Sequence, residues 1–88
     1  MPETTVEIVN RAGMHARPAS EFVKLAGTFA AQVWVTKDGI RVNGKSIMGV
    51  LMLAAECGSS LHIETDGSDA DDALDALEKL VASGFEED

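Results

Sequence analysis

The sequence predicts an α+β fold with the element order β-α-β-β-α-β-α, and three observations predict it. Apolar residues alternate with polar ones over four short stretches, they recur at helical spacing over the stretches between and after, and turn residues separate the two kinds of segment. At 88 residues the chain is expected to form one small domain, residues 1–88, with room for a modest two-layer core. Its 45% hydrophobic content sets it apart from disordered chains.

Thr4 to Val9 alternates, with Val6 and Ile8 on one face and Thr5 and Glu7 on the other, as a half-buried strand does. Asn10 to Gly13 reads as a loop. From Ala16 to about Gly27, the residues Ala19, Phe22, Val23 and Ala26 recur at helical spacing and form a core-facing stripe. Ala31 to Thr36 alternates again, and Lys37-Asp38-Gly39 turns it into Ile40 to Asn43, making a hairpin. Ser46 stands where a helix N-cap is wanted, before the apolar run Ile47 to Ala55. There Val50, Leu53 and Ala54 are expected to face the sheet, leaving Ile47, Met48 and Leu51 as an exposed apolar patch of the kind that binds partners. Gly58 lies in a break, and Leu61 to Asp66 is a fourth alternating strand with Leu61 and Ile63 inward and His62 outward. Ser68 and Asp71 have the spacing of a capping box for a last helix, whose stripe is Ala70, Ala73, Leu74, Leu77 and Val81. Gly84 is expected to end that helix, leaving Glu86-Glu87-Asp88 as a frayed acidic tail. Periodicity does not fix the strand order, and a ferredoxin-like layout fits the same string of elements.

The net charge of −8 argues against binding nucleic acid or an anionic membrane, but it is unevenly spread. Residues 61–88 hold ten acids against Lys79, whereas residues 1–60 hold five acids against six bases and are nearly neutral. Four of those bases, Arg11, Arg17, Lys24 and Lys45, lie where they would complement an acidic partner. No segment has the length and apolarity of a membrane span, and Met1-Pro2-Glu3-Thr4-Thr5 lacks the basic and apolar regions of a signal peptide, so a cytoplasmic location is expected. The lone Cys57 forms no internal disulfide and reads as a small, semi-buried residue. His62 has no metal-ligand spacing to His15, and no metal is expected. An acyl carrier needs a serine in an Asp-Ser-Leu setting at a helix start; Gly58-Ser59-Ser60-Leu61 has no Asp and precedes a strand.

The chemistry points to Gly13-Met14-His15-Ala16-Arg17-Pro18-Ala19-Ser20, where a strand-like segment gives way to a helix. Pro18 suits a first helical turn, so the helix opens within this stretch. Amide donors without intrahelical partners, the positive end of the helix dipole and the Arg17 guanidinium then converge on any anion carried by His15. An imidazole is nucleophilic near neutral pH and is able to accept a phosphoryl group. On these residues alone, a capping histidine beside a solvated arginine fits as well.

Together with Asn43-Gly44-Lys45-Ser46-Ile47-Met48-Gly49, about thirty residues downstream, this stretch strongly resembles HPr, the histidine-containing phosphocarrier family of the bacterial phosphotransferase system. The resemblance covers essentially the whole chain and implies an open-faced β-sandwich, its antiparallel sheet in the order 1-4-2-3 with three helices on one face. It implies that His15 is phosphorylated on Nδ1 by enzyme I, which draws the group from phosphoenolpyruvate, and that the group passes to EIIA-type proteins. Arg17 and the backbone amides of Ala16 and Arg17 would steady the phosphate. Met14, Ser20, Lys24, Ile47, Met48 and Leu51 would dock partners, and Ser46, beyond its capping role, would be the regulatory site of an HPr kinase/phosphorylase. The implied protein is a monomeric carrier rather than an enzyme, with no cofactor. Two positions depart from the family: Ala12 lacks the polar side chain often found there, and Ala54 replaces a common glycine, a change expected only to tighten helix packing slightly. A carrier of a nitrogen-related or purely regulatory branch shares these features; a non-phosphorylated regulatory binding module is the alternative from another class, and the presence of His15 with Arg17 counts against it.

Overall fold

The computed structural model describes residues 1–86. The elements are β1 (Glu3–Glu7), α1 (Ala16–Ala26), β2 (Gln32–Lys37), β3 (Ile40–Asn43), α2 (Ile47–Met52), β4 (Ser60–Asp66), α3 (Ala70–Ala82) and a 3-10 turn, Gly84–Glu86. The strands form one antiparallel sheet in the order β1-β4-β2-β3, so the resemblance, and not the ferredoxin-like alternative, gave the right topology. The register sets Val6 opposite Leu61 and Val35 opposite Ile63, which gathers the apolar alternates of three strands on one face. Onto that face pack Ala19, Phe22 and Ala26 of α1, Val50 of α2, and Leu77 and Val81 of α3, forming one continuous core. Asp38 and Gly39 both take positive φ, 51° and 81°, as the two-residue turn of a tight hairpin requires.

The other face of the sheet is polar. There Thr5 Oγ1 lies 3.0 Å from His62 Nδ1, and His62 Nε2 lies 2.8 Å from Glu3, so His62 ties β1 to β4. Arg41 sits 4.5 Å from the centre of the Trp34 ring and 3.6 Å from Glu64.

Four expectations about the elements need correction. Helix α2 stops at Met52, because Ala54 enters the left-handed region at φ 49°; Ala54 is exposed and does not face the sheet. Helix α3 is not opened by a Ser68–Asp71 capping box. Its N-cap is Asp69, whose side chain makes no cap bond and instead accepts from the amides of Ala30 and Ala31, at 2.8 Å each. Cys57 is exposed rather than semi-buried. At the C-terminus, Gly84 turns the chain at φ 69° and Phe85 is buried in the core; of the expected frayed acidic tail, Glu86 closes the 3-10 turn, its amide donating to the Ser83 carbonyl at 3.3 Å, while Glu87 and Asp88 lie outside the described residues.

Candidate functional site

The loop between β1 and α1 is held at both ends by backbone and side-chain bonds. Ile8 pairs with the segment before β4, its amide donating to Ser59 at 2.8 Å and its carbonyl accepting from Gly58 at 2.7 Å. The buried side chain of Asn10 donates from Nδ2 to the Gly13 carbonyl at 2.8 Å, and the Gly13 amide donates back to the Asn10 carbonyl at 3.1 Å. Gly13 then takes φ 70°, and the Met14 amide donates to the carbonyl of Ala55 at 2.8 Å. The turn is thereby pinned to the chain just beyond α2.

His15 follows as the N-cap of α1, with extended backbone (φ −79°, ψ −172°), and its carbonyl accepts the first helical bond, from Ala19, at 2.9 Å. The residue is exposed, and its imidazole makes no cap bond to the helix. Ala16 and Arg17 occupy the first two helical positions, so their amides lack intrahelical acceptors, and Pro18 contributes no amide. Pro18 and Ala19 are instead buried, which anchors the mouth of the helix to the core. Two amide donors and the positive dipole end therefore lie at the helix mouth that His15 caps.

Arg17 is 76% exposed and leans along the helix to Glu21, its Nε 3.7 Å from the carboxylate, an i,i+4 pair. Such a pair at the surface holds its partners by less than about 1 kcal/mol, so the guanidinium is readily redirected to a stronger anion. Ser20 and Lys24 are exposed on the same helix. Arg17, Lys24, Leu25 and Thr28 face Leu80 and Phe85 across a shallow groove.

Helix α2 packs beside α1. Ser46 caps it, with Oγ accepting from the Gly49 amide at 3.1 Å, and Lys45 Nζ donates to the Phe29 carbonyl at 2.8 Å. Ile47 and Met48 are exposed at 38% and 67%, in keeping with an apolar surface patch. Leu51 differs from expectation: it is half-buried and packs against the core. Met14 differs more, since it is 4% exposed and belongs to the core, so it offers no docking side chain. The turn at Gly13 rotates it inward, a placement that no periodicity in the loop could signal.

Met52 is the surface residue that the sequence reading missed, at 73% exposure. Its signal was present in the spacing, because it lies one helical turn from Met48 on the same flank. The Met14–Ala55 bond places the end of α2 that carries Met52 next to the His15 loop. Ser46 lies at the opposite end of α2, about 9 Å away along the helix axis.

Three helices over one face of an open sheet, with a histidine exposed at the mouth of the first, make a protein that presents its chemistry at the surface instead of enclosing it, as a group carrier does. The model of the PTS HPr component phosphorylation site matches residues 2–83. The chain is 47% identical over 87 residues to the phosphocarrier protein HPr of Neisseria meningitidis serogroup A, covering 99% of this chain and 98% of that one. It is 43% identical over 84 residues to the phosphocarrier protein NPr of Proteus mirabilis, covering 94% and 93%. The crystal structure of HPr-C-His from Thermoanaerobacter tengcongensis superimposes with a TM-score of 0.96 at 44% identity, covering 100% of this chain and 99% of that one. The chain belongs to the HPr family, the phosphocarrier proteins of the phosphotransferase system.

Proposed function

We propose that His15 is the phosphoacceptor, taking a phosphoryl group on Nδ1 from phosphorylated enzyme I, which is charged by phosphoenolpyruvate, and passing it to EIIA-type proteins for sugar uptake. The observation that carries this reading is the position of His15 as the exposed N-cap of α1, flanked by the amides of Ala16 and Arg17. The imidazole nitrogen attacks phosphorus, the bond to the donor breaks in line, and the phosphoryl oxygens accept from the two amides. Arg17 exchanges its loose hold on Glu21 for the dianion, a stronger charge-assisted partner. Ala12 has no side-chain donor to add, so the backbone and Arg17 carry the stabilisation. The phosphoramidate is held at the surface, reachable by the next protein. The protein is regenerated by each transfer and works as one domain, as a monomer, in the cytoplasm.

Ile47, Met48, Ser20 and Lys24 form the docking face for enzyme I and EIIA proteins, with Leu51 supporting it from its half-buried position. Ser46 caps α2 and is also the site at which an HPr kinase adds a regulatory phosphate. Likeness to an NPr favours a second reading, in which the phosphate flows through a nitrogen-related branch without sugar transport. The two differ in the acceptor that drains the phosphate.

The test is phosphoryl transfer from labelled phosphoenolpyruvate with purified cognate enzyme I. The label is expected on His15 as an acid-labile, base-stable phosphate. A folded protein that takes no label from an active enzyme I would favour a non-phosphorylated regulatory binding module.

A further inference from the structure

Methionine sulfur is oxidised by peroxides to the sulfoxide, which turns a flexible apolar side chain into a polar one. Access of the oxidant to sulfur is governed by exposure, and here the methionines divide sharply. Met48 and Met52 are 67% and 73% exposed, while Met14 is 4% exposed within the core. Met48 and Met52 stand at i and i+4 on α2, a spacing that puts their side chains side by side. On that helix it is Val50 that is buried, so a change at the two thioethers leaves the core contacts of the helix in place. Met52 lies at the end of α2 that the Met14–Ala55 bond fixes beside the His15 loop.

We propose that Met48 and Met52 form a paired oxidation site on the docking face, at which a hydroperoxide converts both thioethers to sulfoxides and weakens the binding of enzyme I. The inference rests on the reading of α2 as part of the docking face. In each step the sulfur lone pair attacks the peroxide, an S–O bond forms and the O–O bond breaks. Sulfur loses two electrons, and the departing oxygen takes up the proton and leaves as water when the oxidant is hydrogen peroxide. Each sulfoxide sets a strong acceptor dipole in a patch whose contribution to binding is the burial of apolar surface. Desolvating that dipole without a donor opposes docking.

The experiment uses the full chain with Cys57→Ser, which removes the exposed thiol as a competing target. The protein is treated with hydrogen peroxide, the peroxide is destroyed with catalase, and sulfoxides are mapped by peptide mass spectrometry before transfer from enzyme I is measured. Sulfoxide is expected at Met48 and Met52 well ahead of Met14, with KM for the carrier rising about tenfold. The melting temperature is expected to hold, and methionine sulfoxide reductases are expected to restore KM. Met1, also exposed, is controlled by the Met48→Leu, Met52→Leu variant, whose KM is expected to be the same before and after treatment. Oxidation of Met14 as fast as the other two, or double sulfoxide with KM within twofold of the untreated protein, overturns the proposal. The untreated Met48→Glu, Met52→Glu variant separates the two claims. If it raises KM and the sulfoxide does not, only the oxidation site is lost; if it too leaves KM unchanged, the docking reading fails with it.

Discussion

Gly13 lies so close to Ala55 that a Cβ built on it would stand 2.5 Å from the Ala55 carbonyl oxygen. This approach, with the Met14 amide bonded to the same carbonyl, sets the path of the loop from which His15 emerges. Gly13→Ala adds a side chain both where φ is 70° and where backbone blocks it. We expect a loss of about 2–5 kcal/mol in urea unfolding, the sum of left-handed strain and overpacking. Slower phosphoryl transfer is expected alongside it, measured well below the unfolding transition.

Ala54 presents the opposite case. It sits at φ 49° with its side chain exposed, so the methyl group strains the backbone and packs against little. Replacing it with glycine relieves about 1–2 kcal/mol of left-handed strain. The freer unfolded chain takes back about 0.4–1 kcal/mol. The net expectation for Ala54→Gly is a gain of up to about 1.6 kcal/mol, seen as a higher urea midpoint at unchanged slope.

The Asp69 carboxylate clamps the loop before β2 to the start of α3. The hydrogen bond from the Ala30 amide, joined by that from Ala31, holds its carboxyl below the ordinary aspartate value. A group depressed on folding contributes stability that is fully present above its unfolded value and is lost as pH falls through its folded value. Asp69→Asn is therefore expected to be less stable than the parent at neutral pH, with the gap closing as acid is added. Urea titrations of both proteins across the acid range read this directly.

Ser46 separates capping from charge. Ser46→Ala removes the acceptor for the Gly49 amide and is expected to cost about 1 kcal/mol. Ser46→Asp keeps an acceptor and suits the helix dipole, so stability is expected to hold, while transfer from enzyme I is expected to slow if the proposed docking face is correct, because a negative charge enters it. An unchanged transfer rate for Ser46→Asp would leave the serine as a cap alone.

Much of this architecture was legible because burial imposes periods on the chain. The alternation of Leu61 and Ile63 and the helical spacing of Ala19, Phe22 and Ala26 follow directly from facing one core. Strand order was not legible in that way, since β4 alternates identically whether it lies at an edge or between β1 and β2; the two motifs supplied the order through resemblance. What escaped depends on tertiary contact. Met14 is buried by a turn whose geometry Ala55 dictates, and Ala54 is strained because the chain must leave α2 there. The expected Ser68–Asp71 capping box does not form, because the N-cap is Asp69, whose carboxylate is taken by two amides from a distant loop. The helix start within the Gly13–Ser20 stretch was legible from Pro18, and it puts His15 at the N-cap with Ala16 and Arg17 in the first two helical positions. The Glu21 partner of Arg17 and the exposed flank at Met52 follow i,i+4 spacings that the sequence carries and that its reading for core stripes passes over.

The most direct measurement compares the parent with His15→Ala in labelling from phosphoenolpyruvate through enzyme I, with circular dichroism confirming that both are folded. His15 is exposed at the mouth of α1, so its truncation is expected to leave the fold intact and to abolish the label. A folded His15→Ala protein that still acquires acid-labile phosphate would contradict the account and place the phosphoacceptor elsewhere, with His62 the next imidazole to test.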